Sequence, residues 1–444
     1  MGNSGKGYFI ITFGCQMNEH DSEVIAGVLQ SKGFVKTDKH ENADVIILNT
    51  CCVRETAENK VYGMLGRLRR LKTLNPNLII GICGCMPQQE EVAKKIRHRF
   101  PYVDLIFGTH NLHQLPDLLD KVLESKETVL EVWSTNGQIA ENMPIKRENG
   151  IKAWVTIMYG CNNFCTYCIV PYVRGRERSR LPEDIIREIR QLAREGFKEV
   201  TLLGQNVNSY GKDLEQRTDF ADLLLLLEDI DGIERIRYMT SHPRDFTDKL
   251  INVISNSKKV AEHFHLPVQA GSNHVLKMMN RGYTREQYLE LVEKIRKAVP
   301  NASITTDLMV GFPGETDEDF ADTMDLVQKV QYDSAFTFIY NQRTGTPAAR
   351  SEKQVDVNVK KERIKALIEL QNKISLERNK ADIGKVLKVL VEGRSKTNND
   401  RLAGRSGTNK LVIFSGQEDL IGKLVNVKIV EASLSHLDGC LVNI

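Results

Sequence analysis

The sequence predicts an α/β protein made of three domains: a parallel α/β domain at residues 6–130, a partial (β/α)6 barrel at 150–380 and a small β-barrel at 382–444. Three observations lead to this prediction. Short apolar runs alternate with helix-like segments through the first two domains, which indicates parallel sheets. A polar stretch at 136–150 separates them as a linker. The last domain changes to short strands divided by Gly-, Asn- and Ser-rich turns, as in small barrels.

The first domain has three predicted strands, at 8–13, 44–48 and 78–82, with helices at 19–32 and 55–74. Each strand is a short apolar run. Because ligands of open α/β sheets gather beyond the carboxyl ends of the strands, the residues that follow these runs are candidates for a binding site.

The cysteines fall on those positions. The chain has nine, of which eight form four short clusters within the first 168 residues, while Cys440 stands apart. In a reducing compartment such thiols are free, catalytic or bound to metal. Cys15, Cys51 and Cys85 each follow a predicted strand, so these three distant residues are expected to converge at one edge of the sheet.

The second domain repeats strand and helix about six times. Pro182 opens a helix at 182–195, where proline is favoured at the first position, and Thr316 with Asp319 resembles a capping box. The carboxyl ends of these strands should form the working face. The strands are predicted at 153–158, 199–203, 235–239, 263–267, 303–310 and 335–339.

A helix at 359–380 leads to the third domain, whose strands are predicted at 386–391, 411–413 and 424–429. The apolar residues of the helix fall on one face. The regular turns between the strands favour closure into a small barrel.

Composition sets few limits. The 41% hydrophobic content supports real cores, and the net charge of +3 leaves the question of a nucleic-acid partner to local clustering. The sequence shows no secretory pattern and no apolar run near the roughly 20 residues that span a bilayer. We therefore expect a soluble cytoplasmic protein without a membrane partner.

The strongest motif is Cys161, Cys165 and Cys168, which lie within eight residues directly after a predicted strand. Three thiolates at this spacing can hold three corners of a 4Fe–4S cluster and leave one iron open, where a cofactor can bind. The alternative is a structural zinc site. Zinc takes four ligands, usually as two CxxC-like pairs, and the nearest histidine downstream is His242.

The CxxxCxxC motif after the first strand of a partial barrel resembles the radical S-adenosylmethionine (SAM) superfamily. That resemblance implies that Tyr167, before the last cysteine, packs on the adenine of SAM. The segments 203–206, 240–243 and 311–315 are similar to strand ends that face the cofactor, which makes Gly204, Gln205 and Ser241 candidate SAM contacts. Each of these segments alone is also ordinary turn chemistry.

Three further segments, 14–18, 49–55 and 84–88, resemble the N-terminal domain of the methylthiotransferases within that superfamily. The resemblance implies that Cys15, Cys51 and Cys85 hold an auxiliary 4Fe–4S cluster, also with one open iron. Cys52 and Cys83 stand beside ligand positions and are interpreted as unliganded thiols.

Basic residues point to RNA. Arg67, Arg69 and Arg70 lie on the predicted helix at 55–74, and Arg174, Arg176 and Arg178 follow the radical motif. Such clusters suit phosphate contact, although a solvated helix face is an equally good interpretation of the first. The terminal barrel resembles a TRAM domain, a small RNA-binding module.

The segments 170–175, 204–210 and 240–243 are similar to the bacterial tRNA type of methylthiotransferase, which acts on N6-(dimethylallyl)adenosine beside the anticodon. Siblings that modify threonylcarbamoyladenosine or a ribosomal-protein aspartate remain alternatives, as does a zinc-containing RNA-binding protein outside the enzyme class.

The resemblance implies two SAM molecules. One methylates a sulfur at the auxiliary cluster, and the other yields the 5′-deoxyadenosyl radical that removes hydrogen from C2 of the adenine. The residues identify no protein acid or base for this step. The expected partners are the anticodon stem-loop of tRNA, an electron donor and a system that supplies sulfur or clusters, and we expect a monomer.

Overall fold

The structure, a computed structural model, describes residues 5–52, 55–125, 127–133, 139, 141–147, 150–396 and 398–442. Part of the predicted linker at 136–150 therefore lies outside the described residues, as do Val53 and Arg54 of the cysteine motif at 49–55.

The first domain is a six-stranded parallel sheet with helices on both faces. The strand order is β2-β1-β3-β4-β5-β6. The strands are β1 (Gly7–Thr12), β2 (Val35–Lys36), β3 (Val45–Thr50), β4 (Ile79–Gly84), β5 (Leu105–Phe107) and β6 (Val129–Glu131). The helices are α1 (Gln16–Ser31), α2 (Glu55–Leu74), α3 (Glu90–Arg99) and α4 (Leu115–Ser125).

Alternation along the central strand explains the two layers. In β3, Val45 and Ile47 pack toward α1 and α4, while Ile46 and Leu48 pack toward α2 and α3. All four side chains are fully buried. A parallel strand that is covered on both faces reads as a nearly continuous apolar run, and in β3 only Asn49 and Thr50 at the carboxyl end are polar.

The second domain is a partial barrel of six parallel strands. Two three-stranded groups, β7-β10-β11 and β12-β13-β14, meet through a parallel bridge between Ile236 and Val260. Strands β7 and β14 are the two edges. The strands are β7 (Lys152–Thr156), β10 (Glu199–Leu203), β11 (Arg235–Tyr238), β12 (His263–His265), β13 (Ser303–Val310) and β14 (Ser334–Ile339), with a short antiparallel pair β8 (Met158–Tyr159) and β9 (Arg178–Ser179) beside them.

Eight helices accompany this barrel in the described chain. Thr316 caps α11 in a complete capping box with Asp319, as the sequence predicts. Helix α12 packs along β14 and leads to the third domain. The helices are α5 (Val170–Val173), α6 (Pro182–Arg194), α7 (Phe220–Glu228), α8 (Asp248–Asn256), α9 (Asn273–Met278), α10 (Arg285–Ala298), α11 (Asp317–Val330) and α12 (Val357–Lys380).

The third domain is a closed five-stranded barrel of order β15-β16-β17-β19-β18. Its core is a single cluster of aliphatic side chains around Phe414. The strands are β15 (Val386–Arg394), β16 (Leu402–Ser406), β17 (Leu411–Phe414), β18 (Leu424–Ala432) and β19 (Leu437–Leu441).

The small barrel docks against the amino ends of the large barrel's strands. Arg237 on β11 donates from Nη2 to the carbonyl oxygen of Ser406 at 2.7 Å, and its Nε lies 3.0 Å from Oε2 of Glu199 on β10. These side chains are buried. The base of the large barrel is therefore sealed by an ion pair and by backbone carbonyls of the small one.

The predicted fold class is confirmed: a parallel α/β domain, a partial six-stranded barrel and a small closed barrel follow one another. None of the described helices combines the length and apolar character needed to cross a membrane.

Candidate functional site

Three of the N-terminal cysteines lie at one edge of the first sheet. Strands β1, β3 and β4 are neighbours, and Cys15, Cys51 and Cys85 follow their carboxyl ends. A Cβ placed on Gly14 would lie 2.8 Å from Cβ of Cys51, which shows how closely the first two loops approach. Cys15 also interacts electrostatically with Cys85. The predicted convergence of these strand ends is what the topology produces.

Two asparagines of the same motifs fix these loops to each other. Nδ2 of Asn18 donates to Oδ1 of Asn49 at 3.0 Å and to the carbonyl oxygen of Thr50 at 3.1 Å. Nδ2 of Asn49 donates in return to the carbonyl oxygen of Asn18 at 2.8 Å. Both side chains are buried. Because the buried polar groups satisfy one another, the loops that carry Cys15 and Cys51 are held in one arrangement.

Two glycines that precede cysteines turn the chain sharply. Gly84 has φ +97°, and a Cβ there would lie 2.3 Å from the carbonyl oxygen of Thr50. Gly160 has φ +74°, and a Cβ there would lie 2.0 Å from the carbonyl oxygen of Arg176. Only glycine fits both the left-handed backbone and the close approach. These two glycines therefore set the direction in which the chain enters Cys85 and Cys161.

The remaining cysteines occupy different surroundings. Cys83 lies within β4 in the apolar core on the α1 side, and burial raises its pKa. Cys52 is buried and shares a hydrogen bond with Cys85, which lowers the pKa of Cys85 to about 6 against the opposing effect of burial. Cys440 is exposed on β19.

The second cysteine set lies on the loop between β8 and α5, above the carboxyl end of β7. The loop is fastened across the barrel: Oγ1 of Thr166 donates to the carbonyl oxygen of Met278 at 2.9 Å. Burial raises the pKa of Cys161 to about 11 and that of Cys168 to about 12. Since metals bind thiolates, binding at these residues would release protons.

A buried arginine contacts this loop. Nη1 of Arg281 lies 3.4 Å from Sγ of Cys165 and 3.4 Å from the hydroxyl oxygen of Tyr167, and Nη2 donates to the carbonyl oxygen of Pro267. Arg281 is not among the residues predicted from the sequence, because it follows α9 in a loop with no motif of its own. An arginine in such a loop gives no signal that separates it from a solvated one.

Buried polar atoms without partners surround the strand ends beside this loop. Among the described residues, Oδ1 of Asn206, Oγ of Ser241, Nε2 of His242 and the hydroxyl of Tyr340 lack a hydrogen bond. They follow β10, β11 and β14. An unsatisfied buried polar group costs about 1–3 kcal/mol, so this cluster is the chemistry expected where a polar ligand completes the structure.

The predicted SAM contacts lie in this region. Tyr167 packs against the cluster around Phe312 and Tyr340. The carbonyl oxygen of Gly204 accepts from Oγ1 of Thr240 at 2.6 Å, which joins two strand ends. Gln205 follows, half-buried, and Ser241 is buried. Asn206 and His242 lie in segments predicted to face the cofactor, but neither side chain was predicted as a SAM contact. Tyr340 lies outside the predicted segments.

The predicted RNA-binding arginines divide into two groups. Arg67, Arg69 and Arg70 are exposed on α2, and Arg176 is exposed beyond the radical motif. The guanidinium of Arg176 lies 4.3 Å from the ring centroid of Phe164. Arg178 is half-buried, with its guanidinium 5.7 Å from the ring centroid of Tyr159.

Arg174, for which the sequence also predicts contact with RNA, is buried in the structure. Its side chain is only 5% exposed and is paired with Asp21, with 2.9 Å between Nη2 and Oδ2. RNA contact by this residue stays a prediction, and its contacts in the structure are with protein groups. The loop that follows α5 turns Arg174 inward toward the first domain, a direction that the run of arginines in the sequence does not reveal.

The donor sets fit iron–sulfur clusters. Each consists of three thiols on loops at strand ends, with a guanidinium beside one sulfur: Arg174 at Cys85 and Arg281 at Cys165. A four-iron cube takes its thiolates at separate corners, and the unpartnered polar atoms suit a ligand bound at its open corner.

Comparison with known proteins agrees with this arrangement. Residues 155–327 match the radical SAM superfamily, residues 7–108 match the uncharacterized protein family UPF0004, and residues 380–442 match the TRAM domain. Among solved structures, the radical SAM methyltransferase TsrM from Kitasatospora setae, with tryptophan and a SAM analogue bound, superposes with a TM-score of 0.57 at 14% identity over 78% of this chain and 75% of that one. That likeness concerns the fold.

Similarity to curated proteins is much higher. The tRNA-2-methylthio-N(6)-dimethylallyladenosine synthase of Desulforamulus reducens is 64% identical over 99% of this chain and 96% of its own length. The protein of the same name from Carboxydothermus hydrogenoformans is 64% identical over 98% and 99%. Enzymes of this kind use SAM and 4Fe–4S clusters. The chain therefore belongs to the tRNA-2-methylthio-N(6)-dimethylallyladenosine synthases, a family of radical SAM methylthiotransferases.

Proposed function

We propose that this enzyme places a methylthio group on C2 of N6-(dimethylallyl)adenosine next to the anticodon in tRNA. The observation that carries the proposal is the pair of three-cysteine sets, one at strand ends of the first sheet and one on a single loop of the second domain, joined by the segment from Cys161 to Arg174. The relatives named for this activity match nearly the whole chain. We propose the three-domain division at 6–130, 150–380 and 382–444 as its organisation.

In this proposal Cys15, Cys51 and Cys85 hold the auxiliary cluster, and Cys161, Cys165 and Cys168 hold the radical cluster. The topology supports the first set, since β1, β3 and β4 are adjacent. The short loop supports the second, since its three thiols lie within eight residues and interact electrostatically with one another. Cys52 is assigned as an unliganded neighbour, because its contact is a hydrogen bond to Cys85.

SAM bound at the radical cluster would supply the 5′-deoxyadenosyl radical. We assign its binding to Tyr167, Gly204, Gln205 and Ser241, with Asn206 as an added contact. Oγ of Ser241 and Oδ1 of Asn206 lack partners within the described chain and are free to bond a polar ligand. Cleavage of an aromatic C–H bond needs no acid or base from the protein, and we assign none.

The tRNA contacts are assigned to exposed cations. Arg67, Arg69 and Arg70 project from α2, and Arg176 with Phe164 offers a charged and aromatic surface beside the radical motif. The target adenine must leave its stack, which costs a few kcal/mol. Phosphate contacts and the TRAM domain can offset this cost.

Other parts of the proposal concern the cell. The reaction needs an electron donor and a supply of sulfur or clusters, and we propose that the enzyme works as a monomer in the cytoplasm. The alternative substrates are threonylcarbamoyladenosine in tRNA and a ribosomal-protein aspartate. Outside the enzyme class, the alternative is a zinc-containing RNA-binding protein. The names of the matching relatives favour the dimethylallyl substrate.

The test uses protein purified and reconstituted without oxygen, given SAM, a low-potential reductant and tRNA that carries N6-(dimethylallyl)adenosine. Mass spectrometry of the digested nucleosides should show the 2-methylthio product, together with 5′-deoxyadenosine. The Cys161→Ala, Cys165→Ala, Cys168→Ala triple variant should form neither. Modification of threonylcarbamoyladenosine or of a ribosomal-protein peptide in place of this substrate would overturn the proposal.

A further inference from the structure

We infer that Arg174 is a positioning residue of the auxiliary centre: it raises the reduction potential of the cluster held by Cys85 and fixes that cluster's place relative to the radical loop. This inference rests on the proposed assignment of Cys85 as a cluster ligand. Arg174 is predicted from the sequence to contact RNA, and its side chain is buried in the structure.

The contacts of Arg174 are specific. Nε donates to Sγ of Cys85 at 3.3 Å, and Nη2 donates to Oδ2 of Asp21 at 2.9 Å. The Arg174 side chain is 5% exposed and that of Asp21 is 11% exposed. A guanidinium is planar and permanently charged, so its Nε and Nη2 donors hold the sulfur and the carboxylate in one fixed geometry.

The same segment joins the two cysteine loops mechanically. Six residues after Cys168, Arg174 ends a short helix that is itself bonded to the first domain: Oγ1 of Thr109 donates to the carbonyl oxygen of Val173 at 2.6 Å. Ile169 and Val173 share a buried cluster with Cys52 and Cys85. The radical loop and the auxiliary edge are therefore one packed assembly.

A charge in this position acts on a cluster in a predictable direction. Reduction adds negative charge to the cluster, and an N–H donor and a cation beside a ligand sulfur stabilise that added charge. Asp21 binds the same guanidinium through Nη2 and offsets part of its charge, whereas the Nε–H group is directed at the sulfur itself. Removal of the Arg174 charge should therefore make the auxiliary cluster harder to reduce.

The experiment isolates the auxiliary cluster. The full chain carrying Cys161→Ala, Cys165→Ala and Cys168→Ala should keep only this cluster, and its midpoint potential is followed by paramagnetic resonance in a redox titration. Arg174→Gln is introduced on this background to remove the charge. Arg174→Lys keeps the charge but lacks the planar group with two donor nitrogens. Arg176→Gln, an exposed arginine on the same loop, is the matched control.

We expect Arg174→Gln to lower the reduced-to-oxidised ratio at a fixed potential at least tenfold, which corresponds to about 59 mV for a one-electron couple. Arg174→Lys should recover part of this shift, and Arg176→Gln should leave the potential unchanged. Iron and sulfide content equal to that of the parent shows that the cluster is intact in each variant.

Two results would overturn the inference. An unchanged potential in an Arg174→Gln protein with full iron content would remove the redox role and leave the proposed function standing. Absence of any cluster from the cysteine-triple parent, with Arg174 unaltered, would overturn the ligand assignment and the inference with it. If Arg174→Gln does not assemble a cluster, Arg174→Met, which also removes the charge, decides: a potential equal to that of the parent then overturns the inference, and a lower potential supports it.

Discussion

The guanidinium of Arg235 on β11 donates from Nη1 to the carbonyl oxygen of Arg405 on β16 at 2.8 Å and from Nη2 to the carbonyl oxygen of Lys388 on β15 at 3.3 Å. A single buried side chain at the base of the large barrel thus binds the backbone of two strands of the TRAM domain. These hydrogen bonds hold the RNA-binding module in a fixed position on the catalytic domain.

The first prediction concerns this docking. Arg235→Ala removes both hydrogen bonds and should lower the free energy of unfolding by about 2–3 kcal/mol, the range for bonds to a charged donor. Denaturant unfolding and limited proteolysis near residues 381–385 measure it. Lys388→Ala is the control, because that side chain is exposed and only its carbonyl takes part. Equal behaviour of the two variants would contradict the prediction.

The second prediction concerns SAM. Since Oγ of Ser241 is buried without a partner among the described residues, Ser241→Ala should not lower the stability of the ligand-free protein. It should weaken SAM binding about 3–10-fold, the equivalent of one hydrogen bond of about 0.5–1.5 kcal/mol. Calorimetric titration of the reconstituted enzyme measures this. Ser255→Ala on α8 serves as control, and unaltered SAM affinity in Ser241→Ala would exclude the contact.

The third prediction concerns tRNA. The combined change of Arg67, Arg69 and Arg70 to Gln should weaken tRNA binding. The plot of the logarithm of the binding constant against the logarithm of the salt concentration should become less steep, by roughly 0.7–0.9 for each phosphate that is no longer neutralised. Filter binding at several salt concentrations measures the slope. The control removes three exposed cations from α3 by changing Lys94, Lys95 and Arg97 to Gln. A slope that changes equally in both variants would indicate general charge rather than a defined surface.

The fourth prediction concerns acid stability. Burial lowers the pKa of His20 to about 4; nearby Glu188 and Asp21 oppose the shift, and Arg147 and Arg180 add to it. An unfolded histidine titrates near about 6.5, so the unfolded chain binds the proton first as pH falls. This histidine should therefore lower the free energy of unfolding between about pH 6.5 and pH 4, by about 3 kcal/mol in full.

Thermal unfolding at pH 7.5 and at about pH 5 tests this. The His20→Gln variant should lose less stability on acidification than the parent, while His98→Gln, on an exposed face of α3, should behave as the parent does. A parallel loss in all three proteins would show that His20 does not govern the acid response.

The strands were predictable where β-branched and aliphatic residues dominate a segment of sufficient length. Strands β10 and β13 begin and end at the predicted residues, because such residues favour the extended backbone of a strand. The short edge strand β2 and the three-residue β5 were missed, since two or three residues give no period. Strand β16 was also missed, because Gly404 interrupts it.

The site was predictable in part for a related reason. Cysteines at strand ends carry their own signal, and parallel topology brings strand ends together. Arg281 and Arg174 owe their roles to packing between segments far apart in sequence: Arg281 reaches Cys165 across 116 residues, and Arg174 reaches Cys85 across 89. No local pattern distinguishes such an arginine from one that faces solvent.

The edges β7 and β14 of the large barrel have no strand partner on one side. Within 150–396, no strand joins these two edges; helix α1 of the first domain packs beside β7, and Phe336 on β14 is 53% exposed. A closed eight-stranded barrel has a packed interior and binds its ligands on a ring of loops at the carboxyl ends of the strands. With two strands missing, that ring is incomplete, which suits a substrate as wide as a folded nucleic-acid loop.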